Sequence, residues 1–358
     1  MRITVPSAPD LSGERASFIV HSNRLRAFTT LAGFNGFPIR RTNQVLEQLA
    51  SKAAAFPVPR GAQASFDEAV ACLNRAWGTE LVMCGAAQYA AEDEELLKLT
   101  NSWAAVQTYY CAYHDTQALI VAEGRARPTS HSGTQRQYVD LWVARRARLD
   151  PWTFAVGSHE DKRFDEAGMA NGPDQPLDQL KSLSACTTSN CWEHAEQALR
   201  STRETEYEQR RQTAIETKMR VRQTDWTVEH GSKPNRKAPD WWNRRPRLDV
   251  GEKAAVEKGT RPFTLIDYLY RLRIKANYQD AKAYTDGPAN AGEALALNMD
   301  LMHLAASTGL VHEVRVAQLV GPERFLHHAE DWVQRHAPSE MDRGLRVRLP
   351  IFRNVLSK

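Results

Sequence analysis

Residues 92–123 read EDEELLKLTNSWAAVQTYYCAYHDTQALIVAE, and this stretch decides the fold. Trp103, Val106, Tyr110, Tyr113, Gln117 and Val121 recur at spacings of three and four, which draws one largely apolar stripe along a helix. Gly124 supplies a left-handed stop, and Pro128 prevents the helix from resuming. A second helix is predicted over 135–146. A helix this long and this apolar needs helical partners on several sides, so the expectation is an all-α bundle.

Upstream, SFDEAVACLNRAW (65–77) predicts a helix with Ser65 as N-cap, Glu68 in the capping-box position and Gly78 as its stop. Residues 43–56 predict another, ended by Pro57 and Pro59, and 16–20 suggest a short strand. Downstream, Gly and Pro punctuate 157–176. The run NCWEHAEQALRSTRETEYEQRRQTAIETKMRVR (190–222) is rich in helix formers and poor in apolar residues, which predicts an exposed helix. Residues 224–262 read as loop. Helical order returns at Thr264, an N-cap with Asp267 three residues on. The stripe Ile266, Leu269, Tyr270, Arg273, Ala276, Asn277, Asp280 begins apolar and turns polar. Further helices are predicted over 294–307, closed by Gly309, and from Pro322 to a stop before Pro338. The expected organisation is an N-terminal segment (1–90), a bundle formed by 91–156 and 262–336, an insertion at 157–261, and a C-terminal tail (337–358).

The chain has 358 residues, 42% hydrophobic and 25% charged, enough to bury a core. Its net charge of +4 is unevenly spread, because residues 200–260 carry fifteen Lys/Arg against ten Asp/Glu. That points to an anionic partner for this segment. No run approaches the ~18 consecutive apolar residues of a membrane span, and the first residues lack a signal-peptide pattern. Five cysteines are too few and too odd for a disulfide framework, so the expectation is a cytoplasmic protein without a membrane partner.

Two distant segments, NSWAAVQTYYCAYHDTQALIVAEGRARPTSHSG (101–133) and LIDYLYRLRIKANYQDAKAY (265–284), together resemble the HEPN superfamily. The features are a long helix with a tyrosine pair, Tyr-His, a Gly stop and a Pro…His-Ser loop, followed by a later helix with arginine before a polar residue and tyrosine. HEPN proteins are small helical bundles of prokaryotic toxin–antitoxin pairs, CRISPR effectors and phage defence. The resemblance implies a HEPN-like antiparallel bundle, a homodimer, and an RNA target with an antitoxin or defence partner protein. Active members carry Arg-x4–6-His on the later helix and need no metal or cofactor. Arginine suits a phosphorane because its charge is permanent and its donors form a fork. Histidine can take or give the proton.

On this pattern the candidate catalytic residues are Arg273, Arg271, Asn277 and Tyr278, with His114 nearby. Asn277 stands where the histidine belongs, and an amide cannot shuttle a proton near neutral pH. Arg273 and Asn277, four apart, are expected on one helical face. Arg15–His21 and Arg125–His131 also fit the spacing, and His131 is kept as a candidate. Two functions remain open: a metal-independent endoribonuclease, or a catalytically silent HEPN module that binds RNA or a protein. A helical scaffold unrelated to HEPN is a third.

Trp241, Trp242, Arg244, Arg245 and Arg247 combine flat rings with cations, which suits single-stranded RNA and equally suits docking of the insertion. Cys186, Cys191 and His194 lack a fourth zinc ligand at structural spacing, and no metal is expected. Phosphate-binding Gly-rich loops and nucleophile elbows are absent from the sequence, which argues against the common ATPase and hydrolase classes.

Overall fold

The computed structural model describes residues 13–34, 42–59, 64–145, 147–157, 169–170, 183–231, 239–339 and 343–357. The long helix of the opening motif is α4 (Glu94–Ala122), the fourth in chain order after α1 (Glu14–Leu31), α2 (Thr42–Ala54) and α3 (Phe66–Tyr89). The Asp93 side chain caps it by accepting from the Leu96 amide, and Gly124 leaves it with a positive φ of 77°. After it come α5 (His131–Trp142), α6 (Cys191–His230), α7 (Val250–Gly259) and α8 (Leu265–Ile274). A π-turn over Lys275–Gln279 leads to α9 (Ala281–Thr285), α10 (Ala291–Val320), α11 (Pro322–His336) and α12 (Leu345–Leu356).

At the centre, α4 packs against α3 on one side and α10 on another. Polar pairs fix the register with α10: Asn101 Nδ2 donates to the Ala294 carbonyl at 3.0 Å, and Thr116 meets His312 at 3.3 Å. Partners rise in number together along the two helices, so α4 and α10 run parallel. Among the described residues, α10 is the one helix long and apolar enough to cross a membrane, and 72% of its most apolar window is buried inside the protein. Its apolarity is taken up by the core.

Most of the buried apolar residues form one continuous core, from Phe18 to Phe352. The N-terminal helices and α12 therefore belong to the same packed unit as α4, α8 and α10, rather than to a separate leading segment and tail. Several expected boundaries move for the same reason. Residues 16–20 lie in α1 instead of a strand. Helix α3 runs past Gly78, because Met83, Cys84 and Ala87 continue its buried face. Helix α10 runs through Gly309, which packs beside Asp115 and Arg348; a Cβ there would sit 3.4 Å from each, an ordinary contact. At Gly287, a Cβ would lie 2.3 Å from the Ala283 carbonyl oxygen and 2.4 Å from Phe18 Cβ. Gly287→Ala should therefore destabilise the protein by about 2–3 kcal/mol. An unchanged urea midpoint would contradict this close approach of α1 to α9.

Three two-residue strands, β1 (Ala155–Val156), β2 (Met169–Ala170) and β3 (Phe263–Thr264), pair in the order β2-β1-β3. The antiparallel β1–β3 pair joins the two ends of the 157–261 segment. Within that segment, α6 packs on α1, and its first turns bury Cys191, Ala195, Ala198 and Leu199. Its remaining length carries charged residues outward over part of a span of about 60 Å. The stretch predicted as loop turns back on α6 and forms α7, tied by Lys218 Nζ to Glu252 at 2.6 Å.

The core encloses a charged cluster. Arg348 is fully buried and reaches both Glu80 (2.5 and 2.7 Å) and Glu313 (2.8 Å from two nitrogens). Burial opposes its charge, but the Glu313 and Glu80 carboxylates more than offset that and raise its pKa. Asp115 lies beside them with its buried Oδ1 unpartnered; burial, then Glu313, pushes its carboxyl well above the usual range. A raised folded-state pKa contributes stability below the unfolded value, and this is lost as pH rises through the folded one. Asp115→Asn should therefore gain about 1 kcal/mol at pH 8, with the gain fading toward pH 4. Thermal melts at the two pH values check this.

Candidate functional site

The α4 and α8 segments, about 140 residues apart in sequence, lie side by side. Helix α8 starts where the sequence says it should: the Asp267 carboxylate accepts from the Thr264 amide at 2.8 Å, and Arg261 pairs with the same carboxylate. This anchored start sets the rotation of α8, which turns Tyr270 and Arg273 toward the tyrosines of α4.

There, Arg273 Nη1 donates to the Tyr110 hydroxyl at 3.0 Å. Its guanidinium lies 5.0 Å from the Tyr270 ring centre, 5.6 Å from Tyr109 and 5.7 Å from Tyr110, within cation–π reach of all three. Its Nε is buried and unpartnered, and no carboxylate pairs with it among the described residues. His131, the first residue of α5, bonds through Nδ1 to the Tyr109 hydroxyl at 2.6 Å. Its ring lies 4.9 Å from Tyr113 and 5.3 Å from Tyr270. His114 packs edge-on to Tyr113 at 5.3 Å and stacks with Tyr110 at 6.2 Å. Gln117 ties Tyr113 to the Pro128 carbonyl, with both bonds at 2.9 Å, and so holds the loop that delivers His131.

The electrostatics follow from this packing. Desolvation, then the Arg273 charge, lowers the His131 pKa, so the imidazole is neutral near pH 7. Desolvation, then Arg75, brings His114 down to about 4. Burial raises Tyr109 far above its normal range, so it stays a phenol. In the tautomer whose Nδ1–H donates to the Tyr109 hydroxyl, the His131 Nε2 lone pair is left for a proton. The site thus combines a permanent cation without a carboxylate, a neutral imidazole and flat aromatic faces.

The other candidates stand elsewhere. Asn277 and Tyr278 lie in the π-turn, where the wider helix changes register after Ile274. Asn277 is exposed and Tyr278 is 72% exposed. Arg273 is half-buried among the tyrosines, and no hydrogen bond joins it to Asn277 among the described residues. Arg271 is half-buried and makes no hydrogen bond to the Arg273 group. The two spaced Arg–His pairs also separate: Arg15 binds Glu293 while His21 binds Asp280, and Arg125 lies beside Glu123 and Asp140 at 3.4 Å.

Trp241 and Trp242 dock on α6. Arg222 covers Trp241 at 4.6 Å, Trp226 meets Trp242 at 5.4 Å, and Gln223 donates to the Trp242 carbonyl at 2.9 Å. Arg244, Arg245 and Arg247 remain exposed beside them. Among the described residues, Cys186, Cys191 and His194 do not converge into a metal-binding group.

The sequence named both Arg273 and His131 as candidates but held no pattern that brings them together. The one local signal was Ser130 before His131, a helix N-cap that accepts from Gly133 at 3.1 Å and starts α5 four residues earlier than its apolar pattern. In comparisons with known proteins, no family model, no curated protein and no solved structure matches the chain.

Proposed function

We infer that the chain is a HEPN-like, RNA-directed protein of prokaryotic defence or toxin–antitoxin type, acting in the cytoplasm as a metal-independent endoribonuclease. The observation that supports this reading is the unpaired Arg273 guanidinium seated among Tyr109, Tyr110 and Tyr270 beside the neutral imidazole of His131. In the reaction, Arg273 holds the scissile phosphate and stabilises the charge that grows on its oxygens. His131 Nε2 takes the ribose 2′-hydroxyl proton, the 2′-oxygen bonds to phosphorus, and the bond to the 5′-oxygen breaks as that oxygen gains a proton from solvent. The products are a 2′,3′-cyclic phosphate and a 5′-hydroxyl. A homodimer would bring two such α8 helices to a shared cleft, and an antitoxin or defence partner would restrain them.

Purified protein incubated with tRNA in EDTA tests the reading. It should leave cyclic-phosphate ends, and Arg273→Ala should abolish them. The exposed amide of Asn277, at the position of the family's histidine, favours a second reading: a catalytically silent module that binds RNA or a partner protein. That module would show RNA binding that weakens steeply with salt, with no cleavage. A helical scaffold unrelated to HEPN would show neither.

A further inference from the structure

On the opposite side of α8, a second polar group is buried with its partners missing. Arg24 of α1 is only 9% exposed, its Nε has no hydrogen-bond partner, and it forms no ion pair among the described residues. The charged and polar side chains acting on it include Tyr268 and Tyr284, whose buried hydroxyls are also unpartnered. His21 stacks on Tyr284 at 5.3 Å and has a buried, unpartnered Nδ1. Lys275, from the π-turn, lies close enough for Arg24 to depress its pKa alongside burial, which is the larger cause. One carboxylate, Asp280, acts on His21, Lys275 and Tyr284, and its Oδ2 is already held by His21 Nε2 at 3.0 Å.

An internal water would satisfy a lone hydroxyl, but it supplies no charge to a buried guanidinium beside an ammonium. We propose that Arg24, Lys275, Tyr268 and Tyr284 form an oxyanion pocket for a singly protonated phosphate, free or as the head of a phosphomonoester. The guanidinium, the ammonium and the two phenols donate to the phosphate oxygens. His21 adds selectivity. Its Nε2–H donates to Asp280, which leaves Nδ1 as a bare acceptor for a P–OH, and sulfate carries no such proton near neutral pH. Beyond Asp280 lies a groove of about 470 Å³, lined by Ser17, Tyr278 and Lys282 among others, with room for the rest of a phosphomonoester. This pocket does not involve Arg273 and stands apart from the RNA reading.

Isothermal titration of the full chain with inorganic phosphate, sulfate and adenosine monophosphate tests the proposal. Phosphate should bind at least about tenfold more tightly than sulfate, Arg24→Gln should weaken it about 30-fold or more, and Tyr268→Phe about fivefold. Arg273→Ala should leave the affinity unchanged. Adenosine monophosphate binding more tightly than phosphate assigns the pocket to a phosphomonoester; its failure to bind while phosphate binds assigns free phosphate. No binding at about 10 mM phosphate, some tenfold above a millimolar Kd, would mean an internal water only and overturn the pocket. Equal affinity in the Arg24 and Tyr268 variants, or sulfate binding as well as phosphate, would overturn it too.

Discussion

Arg348→Met is expected to destabilise the protein by about 3–5 kcal/mol, the largest stability effect of any single change considered. The reason is the company the side chain keeps. Arg348 is 1% exposed, and the Glu80 and Glu313 carboxylates it serves are 5% and 0% exposed. Removing the guanidinium leaves two buried carboxylates facing one another, with the Trp77 indole N–H, 2.6 Å from Glu313, as the one other hydrogen-bond donor to them shown among the described residues. The size of the loss comes from the stranded carboxylates more than from the bond itself. Arg348→Met combined with Glu80→Gln and Glu313→Gln should therefore recover most of it. Urea unfolding of the single and triple variants measures both. A single variant within about 1 kcal/mol of the parent would show that the carboxylates find other partners.

Arg273→Ala is expected to leave the fold standing and to remove function. Its hydrogen bond goes to the Tyr110 hydroxyl and no carboxylate depends on it, so the stability cost is limited to the cation–π contacts, about 1–2 kcal/mol. Cleavage of tRNA should fall by at least about 10²–10³-fold, as expected when a donor to a developing oxyanion is lost. Arg273→Lys should recover little, because an ammonium keeps the charge but not the planar fork. Initial rates in EDTA, together with melting curves, separate the two effects. A variant that melts normally and still cleaves at the parental rate would remove Arg273 from the chemistry.

How much of this was legible in the sequence differs by element, for physical reasons. The start of α8 was readable because a Thr264–Asp267 capping box is local chemistry, complete within four residues. Helix α4 was readable because its apolar spacing, from Trp103 to Val121, persists for about five turns. Gly78 and Gly309 misled because a glycine can end a helix or admit a neighbour, and only tertiary contacts distinguish the two. Arg348 gave no signal, since an arginine near the end of a chain is ordinarily solvated; its burial depends on Glu80 and Glu313, both far away in sequence. At the candidate site, the i, i+3 spacing of Tyr270 and Arg273 was visible along one helix. The approach of His131 was not, because it rests on the path of the loop between α4 and α5, held by Gln117. No residue pattern announced the π-turn that carries Asn277.

The proposed contact of the α4–α8 cluster with an RNA phosphate runs through Arg273, whether or not the RNA is then cut. Its most direct test is the affinity of the full chain for a short single-stranded RNA across a salt series, measured in parallel for the parent and Arg273→Ala. Binding should be about tenfold weaker in the variant, with a salt slope reduced by about one phosphate contact. Identical affinities and slopes would contradict it.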